Sequence, residues 1–186
     1  MAFQCRLPIG TKRHDFILKK VIFSVGNINE TMTSLVAHNR GLYRLLDAHA
    51  GDVSEADKAR VRQNLATDLA RAEDAFATYR ATPLAVERAV GDKYKDIWPS
   101  YVAGTRKVIE SVDAGDLAQA RIRLNALSVD VFIHAREHLR GMIDSNKRQI
   151  KESAEGAQEL ETSSTLILLV GIVNPATKPQ KRQSPE

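Results

Sequence analysis

From Asp116 to about Thr162 the chain contains no proline and only two glycines, Gly141 and Gly156, while an apolar residue recurs every three or four positions. At ~1.5 Å per residue a helix over this run is roughly 70 Å long, more than twice the width of an ordinary small domain. An amphipathic helix of that length must bury its stripe against partners of comparable length. Three further segments with the same period can supply them. The expected fold is all-α, an elongated antiparallel four-helix bundle with up-down-up-down connections.

Local signals divide the chain. Residues 1–14 hold Pro8, Gly10 and scattered charges without a period and read as an irregular N-terminal arm. Residues 15–164 form the helical domain, and residues 165–186 an apolar stub with a polar, disordered tail. The first helix is expected to begin near Asp15 or after Asn27, where Asn27 and Glu30 make a plausible capping pair, and it buries Ile28, Met32, Leu35, Leu42 and Leu46 before stopping at Gly51. Ser54 and Asp57 open a second helix with the stripe Val61, Leu65, Leu69, Ala72, Phe76 and Tyr79. Thr82 and Pro83 end it and start a third. That third helix buries Val90, Tyr94, Ile97, Tyr101, Val108 and Val112 at spacings of four and three, apart from the helical turn at Gly104, with a kink expected at Pro99. After the turn Asp113–Asp116, Asp116 and Gln119 cap the fourth helix. Its core face is Leu117, Ala120, Leu124, Leu127, Val131, Ala135, Leu139 and Met142.

Composition fits this reading: 43% apolar and 27% charged residues can build a core, and 5% aromatics favour closely packed helices. The net charge of +4 does not mark a nucleic-acid binder. Much of the excess lies at the ends, in Lys12, Arg13, Lys19 and Lys20 and in Lys178, Lys181 and Arg182, and the middle lacks basic residues interleaved with aromatics. The single Cys5 excludes an intrachain disulfide and a cysteine zinc site. The apolar runs Val21–Val25 and Leu166–Val173 fall short of the ~20 residues that cross a bilayer, and the second reads as the apolar end of the fourth helix, with the stump of a transmembrane helix as the alternative.

No constellation points to an enzyme. His134, Glu137 and His138 match the H-x-x-E-H order of inverted zinc peptidases, but the further acidic ligand on a mixed α/β domain has no place in the short remainder. Two histidines on a half-exposed helix face are the plain reading, and no metal or other cofactor is expected. Paired Glu-x-x-His motifs for a di-iron centre and a Gly-rich phosphate loop are also missing. Arg40 and Arg44 are more informative. One turn apart, their guanidinium groups project from one side of the first helix, where two planar forks can grip a dicarboxylate. Such a pair also occurs as an ordinary solvated face.

The stretches DKYKDIWPSYV, SVDAGDLAQAR and HLRGMIDSN, between Val90 and Gln149, resemble the periplasmic sensing bundle of methyl-accepting chemotaxis receptors of the aspartate and serine class. In that family a Lys-Tyr-Lys stretch opens the third helix, as Lys93, Tyr94 and Lys95 do here, and the last helix carries a pattern like Leu139, Arg140, Ile143 and Asn146. The resemblance runs from about Asn29 to Gln158. It implies that arginines of the first helix bind ligand carboxylates across a homodimer interface, and Arg40 and Arg44 occupy two matching positions. Leu35 stands where a third arginine is expected, and Leu117 where a polar residue is, which leaves the acid unspecified. Family receptors sit in the inner membrane with a periplasmic sensor and continue through a transmembrane helix, a HAMP connector and a cytoplasmic coiled coil. The chain accordingly reads as a truncated sensor module whose flanking membrane segments are incomplete, binding a small organic acid or amino acid. The competing expectation is a structural or protein-interaction bundle without a small ligand.

Overall fold

The structure is a computed structural model that describes residues 9–81 and 85–173, with side chains for residues 19–20, 22–81 and 91–156. It is helical throughout; no strand occurs among the described residues. The described residues form four helices: α1 (Ile9–Ala50), α2 (Glu55–Ala81), α3 (Ala85–Asp113) and α4, which runs as α-helix over Leu117–Ala126, as π-helix over Leu127–Phe132 and again as α-helix over Ile133–Val173. Residues 1–8, the expected cap at Thr82 and Pro83, and the tail beyond Val173 lie outside the described residues.

The local stop and start signals act where short-range chemistry is complete. At the head of α2 the Ser54 hydroxyl accepts from the Asp57 amide at 3.2 Å and donates to the Asp57 carboxylate at 2.7 Å, satisfying one of the first unpaired amides of the helix. Asp116 caps α4 in the same way, its Oδ1 accepting from the Gln119 amide at 2.9 Å. Between α3 and α4 Gly115 takes φ +74, the left-handed conformation that costs glycine nothing, and the Asp116 amide returns to the Ser111 carbonyl to close the helix end.

Two expectations are corrected. First, α1 begins at Ile9, so residues 9–14 of the expected arm are helical and neither Asp15 nor Asn27 starts the helix. Nothing between Ile9 and Ala50 forbids a helix, because Gly10 and Gly26 each cost only about 1 kcal/mol relative to alanine. Second, Asn27 therefore sits inside a continuous helix, where its Nδ2 donates to the Phe23 carbonyl four residues back at 3.0 Å instead of capping. Helix α3 continues through Gly104, and Pro99 lies inside it. Gly104 serves packing: a Cβ there would lie 2.5 Å from Leu127 Cδ1. Pro99 removes one donor from the ladder, on the exposed side of the helix.

One hydrophobic cluster takes residues from all four helices. Of the expected stripe residues, Val90 lies outside the described side chains and every other one is buried or packed against this cluster. A column of rings runs through it: Phe76 and Tyr94 lie 4.5 Å apart, Tyr94 and Trp98 5.6 Å, Trp98 and Tyr101 5.6 Å, and Tyr101 and Phe132 6.5 Å, within the range of favourable aromatic pairing. At the surface Arg62 reaches His49 of α1 and pairs with Asp113 of α3. Farther along, Glu30 of α1 faces Arg71 of α2 at 3.8 Å, Glu73 of α2 accepts from Trp98 at 3.1 Å, and Arg80 pairs with Asp92 at 2.6 Å. Such exposed ion pairs order side chains more than they stabilise. Among the described residues no helix is long and apolar enough to cross a membrane.

Candidate functional site

The orientation of Arg40 and Arg44 follows from their neighbours. Leu35, Leu42, Leu45 and Leu46 are all at most 2% exposed, and they turn one face of α1 into the core. The intervening positions are left to the outside. Arg40 and Arg44 are both exposed, one helical turn apart, on the same flank. Neither makes a hydrogen bond or ion pair among the described residues. Two unpaired guanidinium groups at this spacing keep their donor forks available for an anion from outside.

Polar groups at this end of α1 reach α4. The Tyr43 hydroxyl donates to Ser128 Oγ at 3.1 Å, and Ser128 Oγ donates to Asn39 Oδ1 at 3.3 Å. Asn39 is buried, so its carbonyl needs this partner. Asn39 and Tyr43 flank Arg40 in sequence and lie one turn apart on α1. Beneath them His38 is fully enclosed and meets the Tyr101 hydroxyl through Nδ1 at 2.8 Å. Burial holds the imidazole down at about 4, and burial likewise pushes the Tyr101 phenol far above its usual range. Both are neutral at neutral pH, so the layer below the arginines adds no charge of its own.

The two positions at which this chain departs from the resembled pattern are apolar in structure as well as in sequence. Leu35 is fully buried, and Leu117 packs half-buried against the core. Neither offers a polar contact to an anion. His134 and Glu137 sit on the exposed face of α4 with Nδ1 and Oε2 3.5 Å apart. No group of three or more His, Cys, Asp or Glu side chains is placed to hold a metal among the described residues.

Sequence reasoning missed Asn39, Tyr43 and Ser128, and it missed the π turn that carries Ser128. A signal for the turn exists. The apolar stripe of α4 otherwise mixes steps of three and four, but Leu127, half-buried Val131, Ala135 and Leu139 make three successive steps of four. No protein-family model matches the chain, and no curated protein sequence is similar to it.

Proposed function

We propose that this chain is the ligand-sensing part of a bacterial chemotaxis receptor, an elongated antiparallel four-helix bundle that takes a small organic acid or amino acid at Arg40 and Arg44 and works as a homodimer. The observation that carries the reading is the pair itself: two exposed guanidinium groups, one turn apart, with no acid among the described residues to neutralise them. The order of contacts supports the antiparallel arrangement. His49 with Arg62 and Glu30 with Arg71 pair α1 with α2, and Arg62 with Asp113 and Arg80 with Asp92 pair α2 with α3. Arg123 with Ser111 and Tyr101 with Phe132 continue the alternation between α3 and α4.

A second copy accounts for apolar surface at the same end. Tyr43 of α1 and Ile122 and Val129 of α4 are exposed, the last two by 62% and 61%, and covering them on a partner's α1 recovers about 25 cal/mol per Å² of apolar area. The resemblance to chemoreceptor sensing bundles, in which the first helix lies at the dimer interface, is consistent with pairing through this end of α1. It also supports an inner-membrane receptor with a periplasmic sensor, anchored by segments flanking the bundle.

In this reading the acid must favour one helix arrangement over another, and a coupling of ~1–3 kcal/mol suffices to shift populations several-fold or more. A thermal-shift screen of mono- and dicarboxylic acids and amino acids tests the proposal. An acid at ~100 times its Kd stabilises by ~2.7 kcal/mol, a rise of about 5–10 °C for a chain of this size. The rise disappears in Arg40→Ala and Arg44→Ala. If no acid raises the melting temperature of the wild type, the sensing reading fails and the interaction bundle takes its place.

A further inference from the structure

The π turn in α4 is held from several sides. Within it the Ile133 amide bonds to the Ser128 carbonyl, five residues back instead of four. Leu127 fills the space that Gly104 leaves on α3, Phe132 lies 6.5 Å from the Tyr101 ring, and Ser128 is tied to Asn39 and Tyr43 of α1. A π turn carries one residue more than the α turn it replaces and occurs mostly as single turns at functional positions. The three steps of four from Leu127 to Leu139 contain that surplus residue in the sequence. Ala120 and Leu124 before the turn, and Ala135, Leu139 and Met142 after it, are nevertheless all at most 1% exposed. The surplus is absorbed without loss of the buried stripe.

We infer that this turn is a movable one-residue surplus in α4, held at Leu127–Phe132 by the Asn39, Ser128 and Tyr43 contacts, so that anion occupancy of Arg40 and Arg44 and the position of the surplus form one linked equilibrium. The inference rests on reading the arginine pair as an anion site. The surplus cannot vanish without turning everything beyond it by about one residue, ~100°, which would expose the core of α4. It can migrate by a turn, however, and then only the residues passed over change face. Ser128 is among them. An anion drawn to Arg40 and Arg44 competes for or reinforces the neighbouring Tyr43 hydroxyl and Asn39 amide, and either effect biases where the surplus lies. Asn39, Tyr43 and Ser128 thereby act as positioning residues for α4.

Two measurements on the whole chain decide this, and the first needs no ligand. Deletion of Val129, exposed within the turn, leaves both flanks of the stripe in register, so the variant melts cooperatively within about 5 °C of the wild type. Deletion of Thr33, equally exposed but in the regular helix α1, throws Ile28 and Leu35 out of phase and abolishes the cooperative melt. Loss of the cooperative melt in the Val129 deletion overturns the surplus.

The second measurement is hydrogen exchange with sulfate as the probe, a dianion able to meet two guanidinium forks, against chloride at equal ionic strength. Sulfate changes exchange both in residues 36–46 of α1 and in residues 127–139 of α4, and the α4 change is lost in the Val129 deletion and in the double variant Tyr43→Phe, Ser128→Ala. A sulfate response confined to α1 overturns the linkage and leaves the anion site standing. No response in either segment removes the oxyanion site and the linkage together.

Discussion

The hydroxyl of Tyr101 lies 2.8 Å from Nδ1 of His38, joining α3 to α1 at a point where the two side chains are 0% and 1% exposed. Buried phenol and buried imidazole satisfy each other, and an uncharged pair avoids the cost of a charge without a counterion. The rings also meet edge to face, with centroids 5.6 Å apart.

This contact makes the fold acid-sensitive. Burial lowers His38 from 6.5 to about 4. Between those values the unfolded chain binds a proton that the folded chain refuses, so stability falls as pH drops below about 6.5 and the loss levels off near 4. The full loss is about 3 kcal/mol by linkage. Urea melts of the wild type and His38→Gln at about pH 7.5 and about pH 4.5 isolate it, because other titrating groups are common to both proteins. The wild type loses the larger share of stability on acidification; equal losses refute the assignment to His38.

Glycines in the helices differ in what they do. A Cβ on Gly41 would lie 2.7 Å from Leu65 Cδ2, and one on Gly104 2.5 Å from Leu127 Cδ1, both against buried leucines. Gly141 is exposed and has nothing within 4 Å. Gly141→Ala therefore stabilises by about 0.5–1 kcal/mol. Gly41→Ala and Gly104→Ala destabilise by about 1 kcal/mol net, as overpacking of about 1–3 kcal/mol outweighs the helix gain. Denaturant midpoints at constant m-value show the opposite signs.

Much of this core is legible because burial follows the helical period. Leu35, Leu42, Leu124 and Leu139 lie on stripes that any amphipathic helix must turn inward. The caps at Ser54 and Asp116 are legible because each closes within three residues. Asn27 shows the limit of the same logic: a capping residue type caps only where the preceding backbone leaves the helix, and here it does not. The flank shared by Arg40 and Arg44 follows from their spacing, and its exposure from the leucines around it. The Tyr43 to Ser128 bond spans 85 residues and leaves no local trace, so the part of the candidate site that joins two helices waits on the fold.

Arg40 and Arg44 also separate binding from stability. Because both are exposed and without a partner among the described residues, Arg40→Ala and Arg44→Ala change stability without acid by no more than about 0.5 kcal/mol, as expected away from packed features. Lysine keeps the charge but loses the bidentate fork, so Arg40→Lys retains only part of any acid-induced rise in melting temperature. A large loss of stability in the acid-free alanine variants would mean that these side chains serve the fold.

Asn146 of α4 is 0% exposed, and among the described residues neither its Nδ2 nor its Oδ1 has a hydrogen-bond partner. Burying an amide in that state costs roughly 1–3 kcal/mol relative to a satisfied or solvated one. On the same face Leu139, Met142 and Ile143 are all buried, and Gln149 one turn on has a buried Nε2 without a partner among the described residues. Asn146→Leu keeps the number of side-chain heavy atoms and the branch at Cγ and removes both orphaned atoms, so it raises stability by about 1–2 kcal/mol. Asn146→Asp moves the other way, since a carboxylate there must either ionise in the core or be held protonated, and it loses several kcal/mol at neutral pH with partial recovery in acid. Urea midpoints of the three proteins at about pH 7.5 and about pH 5 test both directions. If Asn146→Leu is the less stable protein at neutral pH, the amide is satisfied in solution and its place in the core is a stabilising one.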